Sequence, residues 1–279
     1  MHPTNTYRFS FLILTIILIV CFFANISLGS VSIPIKDVFN SLLGNNIDNE
    51  TWQHIILNYR LPKAFTAILV SSGLGISGLL MQTLFRNPLA GPFVLGITSG
   101  ASLGVALIIM GASIFGGVFA TLLLTKWSLV LAASLGSFLV LMAVITISVK
   151  VKDTMAILII GLMFGSITAA VVSVLSYFSA AEQLQQYIFW GFGNLGNLSW
   201  NELLLFLIIY SIGIVFSIAS IKTLNTLLLG ENYAKSLGVN IKRSRFVIII
   251  ATSLLAGTIT AFAGPIAFIG LAIPHITRQ

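Results

Sequence analysis

The chain has 279 residues, of which 57% are apolar and only 8% charged, with a formal net charge of +7. Soluble domains carry about 25% charged residues, so this balance excludes a water-soluble globule, a disordered chain and a collagen-like one. At about 20 residues per spanning helix, the length accommodates up to about ten spans, and the chain reads as a polytopic membrane protein. The basic residues are not clustered with exposed aromatics, so nucleic acid is not an expected partner. Cys21, the one cysteine, lies inside the first apolar run and supports neither a disulfide framework nor a thiolate metal cluster.

The first apolar run covers about 9–28 and is too long for the core of a signal peptide, so it is expected to be a transmembrane helix. Residues 30–59 are more polar, with Lys36, Asp37, Asp48 and Glu50 and a helical pattern at Val38, Leu42 and Leu43. That stretch is expected at the membrane surface. Further runs follow at about 64–84, 93–110, 128–149, 155–178, 202–221 and 246–263, and another begins near Ile266. Seven full spans and one partial span are therefore expected. Hydrocarbon leaves only helices or closed barrels, and long runs without period-two alternation select helices.

The positive-inside rule sets the orientation. With the N-terminus in the cytoplasm, the inner side holds Arg8, Arg86, Lys150, Lys152, Lys222, Lys235, Lys242, Arg243, Arg245 and Arg278. The outer side holds only Lys36, Arg60, Lys63 and Lys126. An N-terminus inside is expected. The middle of each predicted span is free of Asp, Glu, Lys and Arg, which argues against a carboxylate relay of the kind that marks proton pathways. A phosphate-binding G-x-x-x-x-G-K-[ST] loop is also missing from the sequence, so any ATP-driven step needs another subunit.

Small residues recur at helical spacing in Gly96, Gly100 and Gly104, in Gly161 and Gly165, and in Ser71, Gly75 and Gly78. Spacing of four places each set on one face, where helices approach closely; lining of a translocation path is the alternative. Prolines in Leu61-Pro62, Asn87-Pro88, Gly91-Pro92, Gly264-Pro265 and Ile273-Pro274 are expected to punctuate span ends. Gly-Pro recurs on opposite sides of the membrane, as an inverted repeat requires.

In the connection from Lys222 to Arg245, residues Glu231 to Leu237 suffice for two helical turns ended by Gly238. Either this is a solvated loop, or it is a short amphipathic helix that docks on a cytoplasmic partner. Arg60 and Lys63 bracket Leu61-Pro62 on the outer side, where they could hold lipid phosphates or the carboxylates of an external protein.

Several segments form an ordered set of motifs: Arg60-Leu61-Pro62-Lys63; Ser77-Gly78-Leu79-Leu80-Met81-Gln82 running into Arg86-Asn87-Pro88-Leu89-Ala90-Gly91-Pro92; and Leu95-Gly96-Ile97-Thr98-Ser99-Gly100-Ala101. Later come Ala234-Lys235-Ser236-Leu237-Gly238-Val239, then Ala263-Gly264-Pro265-Ile266-Ala267-Phe268-Ile269-Gly270-Leu271, then Pro274-His275-Ile276. Together these segments resemble the FecCD-type permeases of iron-siderophore, haem and vitamin B12 ABC importers.

The resemblance implies an all-α bundle of ten helices with an inverted repeat, in one transmembrane permease domain over residues 1–279. Two more helices follow in the family, so this chain is expected to hold about eight and to be a fragment or a truncated product. A bacterial inner-membrane location is implied. So is pairing with a second copy or a paralogous permease, with two cytoplasmic ATPases that bind ATP and Mg, and with an extracytoplasmic binding protein. This chain itself is expected to carry no cofactor, no metal and no enzymatic step.

Residue by residue, the resemblance assigns Arg60 and Lys63 to binding-protein docking, with a Lys where the family has a second Arg. It assigns Glu231, Ala234, Leu237 and Gly238 to the ATPase-coupling loop, and Asp153, Thr154 and Met155 to the cytoplasmic gate. His275 is implied to be structural. The expected function is import of a ferric siderophore, with haem or cobalamin as alternatives. A secondary carrier or exporter, and a non-transporting membrane scaffold, are the readings from other classes.

Overall fold

A computed structural model of the protein describes residues 4–45, 47, 49–115, 125–150 and 154–278. Every regular element among the described residues is helical. Among the described residues, six helices are long and apolar enough to cross a membrane, and Ile97–Gly111 is a further apolar helical stretch. The chain divides into two compact units, residues 1–68 with 195–203, and residues 69–194 with 204–279.

The first unit contains α1 (Thr4–Ser27), α2 (Ile35–Leu42) and α3 (Glu50–Ile55). A π-turn at Ile56–Arg60 leads into α4 (Leu61–Phe85). Apart from its last turns, α1 exposes its apolar side chains, as a lipid-facing helix does. Its end packs Ile26 with Ile33, Val38, Ile47, Ile56 and Ala64, and Phe22 and Phe23 lie against this cluster. Val38 is the buried apolar residue of α2, whereas Leu43 is exposed. The Asn49 side chain caps α3 by accepting from the Trp52 N–H at 3.3 Å.

Leu61-Pro62 does not end a helix, contrary to expectation. Pro62 has no N–H, and its ring crowds the carbonyl four residues back. The preceding turn widens instead, and the Leu61 N–H reaches back five residues to the Ile56 carbonyl. A π-turn of this kind lets a helix carry the proline onward.

The second unit contains the rest of α4, a 3₁₀ turn (Pro92–Leu95), α5 (Ile97–Phe115), α6 (Lys126–Lys150) and α7 (Thr154–Phe178). It continues with α8 (Ala181–Gly191), α9 (Trp200–Ala219) from Leu204 onward, α10 (Ile221–Leu228) and α11 (Glu231–Ser236). The last elements are α12 (Ile241–Ala263) and α13 (Ile269–Arg278). Sequence periodicity started the third span near residue 93, but Pro92 seeds a 3₁₀ turn and the α-helix begins only after Gly96. Pro274 lies inside α13 rather than at its end, and α8 has no counterpart among the predicted elements.

The irregular backbone around residue 92 is covered by protein. Ala90, Pro92, Val94 and Leu95 are buried, consistent with the rule that non-helical backbone at membrane depth must be protein-lined. A Cβ at Gly270 would stand 3.1 Å from Pro92 Cδ, so the start of α13 packs on the 3₁₀ turn. The core gathers Leu84 and Phe85 of α4, Val140 and Val144 of α6, Leu227 of α10, and Ile248 and Ile249 of α12.

Candidate coupling site, outer corner and helix seams

The short helix α11 is set by its glycines. Gly230 adopts φ +123° and divides α10 from α11; Gly238 adopts φ +80° beyond its C-terminus. Both values lie where side-chain-bearing residues are strained. The Val239 N–H bonds the Ala234 carbonyl at 3.0 Å, and the Gly238 N–H bonds Lys235 at 3.0 Å. This paired pattern is a Schellman cap, so the predicted helix and its glycine stop are both present.

Ala234 is fully buried in the core of the second unit, which seats α11 firmly. On the other side Tyr233 is 51% and Leu237 56% exposed, and Leu228 and Leu229 are exposed nearby. Four large apolar side chains thus stand out of a short segment beside Lys235, Lys242 and Arg243. An exposed apolar patch rimmed by charge marks an interaction surface more often than chance.

Two arginines hold this segment. Arg245 of α12 is buried, and its Nη2 donates to Glu231 Oε1 at 2.7 Å. Arg86, just past α4, has φ 47°, and its Nε donates to the Leu227 carbonyl at 3.1 Å, with Nη2 on the same oxygen. In sequence Arg245 only closes the connection from Lys222; its partner lies fourteen residues away across a turn, and no local pattern announces it. The left-handed backbone at Arg86 is equally silent in sequence.

At the outer corner, Arg60 is only 8% exposed. Its Nη1 donates to the carbonyls of Ile26 and Ser27, each at 2.7 Å, and its Nη2 to the carbonyl of Val31. The guanidinium therefore caps the C-terminal carbonyls of α1, where a cation also meets the negative helix end. Lys63 is exposed. The structure separates the two cations that the sequence joined: one is inside the corner and one on its surface. Trp200 braces the same unit, its Nε1 donating to the Leu57 carbonyl at 3.0 Å.

Of the three predicted gate residues, Asp153 lies outside the described residues, as does the side chain of Thr154. Met155 is exposed in the first turn of α7.

The glycine series forms helix seams. A Cβ at Gly100 would overlap the Gly136 carbonyl, and one at Gly104 the Ala132 carbonyl, so α5 and α6 touch backbone to backbone. Gly161 faces the Val94 carbonyl with no room for a side chain, and Gly96 lies beside Val140 and Gly161. Gly165 is different, with only Ser99 Oγ close by at 3.3 Å from a built Cβ. It lines a groove of about 410 Å³ with Ser99, Ser102, Thr168, Ser173 and Tyr187. Burial pushes the Tyr187 phenol above the ordinary tyrosine range, and its hydrogen bond with Ser102 opposes that shift. The partners Ala132 and Gly136 were missed, although their spacing of four was the available signal.

A solved transporter assigned to the metal-chelate ABC type, in an inward-facing conformation, matches with a TM-score of 0.78 and 30% identity. The match covers 95% of this chain and 79% of that one. The fold is that of the membrane-spanning part of an ABC transporter. The FecCD transport family model matches residues 17–279, and the chain belongs to that family. It is 34% identical over 268 residues to the hemin transport system permease protein HmuU of Yersinia pestis, covering 95% of this chain and 77% of the relative. It is 32% identical over 275 residues to the vitamin B12 import system permease protein BtuC of Photorhabdus laumondii, covering 98% and 76%. The chain thus spans about three quarters of the length of these relatives.

Proposed function

We propose that this chain is the transmembrane permease subunit of an ATP-driven importer in a bacterial inner membrane, and that its cargo is a ferric siderophore. The observation that carries the reading is α11: a helix seated by buried Ala234 that presents Tyr233 and Leu237 outward beside basic residues. Such a surface suits docking of a cytoplasmic ATPase, which would bind ATP and Mg and carry out hydrolysis. The N-terminus then faces the cytoplasm, in agreement with the basic residues that flank the spans on that side.

Two permease chains would pair to form the pathway, and an extracytoplasmic binding protein would deliver cargo to the outer corner. There Lys63 is the accessible cation, and Arg60 holds the corner on which it stands. The gate remains assigned to Asp153, Thr154 and Met155 by resemblance to the family. A second reading, import of haem or cobalamin by the same machinery, is supported by the similarity to HmuU and BtuC.

The test is growth of a deletion strain on a ferric siderophore or haemin as iron source, and on cobalamin where it is required. Loss of siderophore-dependent growth alone, restored by the gene, supports the first reading; selective loss with haemin or cobalamin moves the assignment to that cargo. Uptake that persists without the ATPase and collapses with an ionophore would replace the importer by a secondary carrier.

A further inference from the structure

We infer that Arg86 and Arg245 are the transmission residues through which movement of α11 reaches the membrane helices. The inference rests on the assignment of α11 as the ATPase contact and adds the route by which its displacement leaves that surface. Neither arginine belongs to the docking face. Arg86 follows α4 and grips the last turn of α10 through the Leu227 carbonyl. Arg245 rises from α12 and grips Glu231, the first residue of α11, at 2.7 Å.

The gripped points flank Gly230, and Arg86 Nη2 lies 3.5 Å from where a Cβ on Gly230 would stand. Gly230, at φ +123°, is the joint between α10 and α11. A joint held on one side by the Arg86 fork and on the other by the Arg245–Glu231 ion pair, each from a different long helix, cannot turn without moving α4 and α12. The forked contact of Arg86 resists shear better than a lysine point charge would, whereas the Arg245–Glu231 contact is a single charge pair. Burial of Arg245 adds to this, because a displaced guanidinium would lose its partner in a low-dielectric site. The coupling path has a physical basis in these contacts, and double substitution can test it.

The experiment uses the assembled transporter with its ATPases and binding protein in proteoliposomes. It reads ATP hydrolysis, capture of the ATPase, and uptake of a radiolabelled ferric siderophore, or of haemin or cyanocobalamin if the wild type carries that instead. In Arg245→Gln and Arg86→Gln, capture and hydrolysis are expected to persist while uptake per ATP falls roughly two- to thirtyfold. Arg86 is exposed, so Arg86→Gln leaves no buried charge and serves if Arg245→Gln fails to accumulate. Arg245→Lys, which keeps the ion pair, is expected to recover most of the ratio.

A wild-type ratio of uptake to hydrolysis in either Gln variant would overturn the inference. So would loss of ATPase capture together with hydrolysis, which would mean that the arginines merely build the docking face. Failure of Arg245→Lys to recover would count the same way. The docking assignment is read separately: capture unaffected by Leu237→Asp would remove that assignment without involving either arginine.

Discussion

Arg60 Nη1 lies 2.7 Å from the carbonyl oxygen of Ser27, the last residue of α1. With Ile26 and Val31 also bound, this one guanidinium closes the end of a membrane helix onto the approach to α4. Removing it leaves carbonyls of that helix end without their donor. Hydrogen bonds to charged groups contribute about 1.5–3 kcal/mol each. Because the three share one side chain, Arg60→Ala is expected to cost about 2–4 kcal/mol. A lowered unfolding midpoint of the purified protein in detergent would register it; an unchanged midpoint would show that the cap contributes nothing.

Lys63 is expected to behave in the opposite way. Lys63→Glu alters an exposed charge, so stability should move by less than about 0.5 kcal/mol. Capture of the binding protein should weaken, by slower association above all, and the deficit should shrink as salt is raised. Association kinetics at two ionic strengths provide the measurement, and wild-type kinetics at both would withdraw Lys63 from the docking role.

Leu237→Asp places a carboxylate in the centre of the exposed apolar patch of α11. Membrane insertion should be unaffected because the side chain is outward and beyond the long spans. Stimulation of the ATPase by the permease should be abolished. Full stimulation in the variant would mean that the ATPase docks elsewhere.

The seam between α5 and α6 predicts a contrast between two glycines. Gly100→Val drives a branched side chain into the Gly136 carbonyl and should cost about 1–3 kcal/mol or more through overpacking. Gly165→Ala meets only the Ser99 hydroxyl and should fold like the wild type. Paired thermal unfolding curves decide; equal midpoints for the two would contradict the backbone contact.

The sequence readily yielded what depends on local pattern. The apolar runs, the cap at Gly238 and the irregular turn at Pro88 to Pro92 all follow from spacing and backbone preference, which operate over a few residues. Pairings across long separations were not legible. Arg60 finds carbonyls near residue 30, and backbone carbonyls carry no residue signature. The pairing of Arg245 with Glu231 was not legible because nothing local indicates that Arg245 is buried. Pro62 misled for a related reason: the proline penalty is real, but a single widened turn absorbs it.

The form of α1 bears on how the protein meets lipid. Its apolar stretch, Arg8–Ser27, has 20 residues, about 30 Å at 1.5 Å per residue, which equals a typical hydrocarbon thickness. Its packing within the first unit is concentrated at Phe22, Phe23 and Ile26, and Arg60 clamps the same end. The helix is thus a mast stepped at one end. In a thinner bilayer it can lean about that foot, and the mismatch is taken up by tilt while the corner that carries Lys63 keeps its shape.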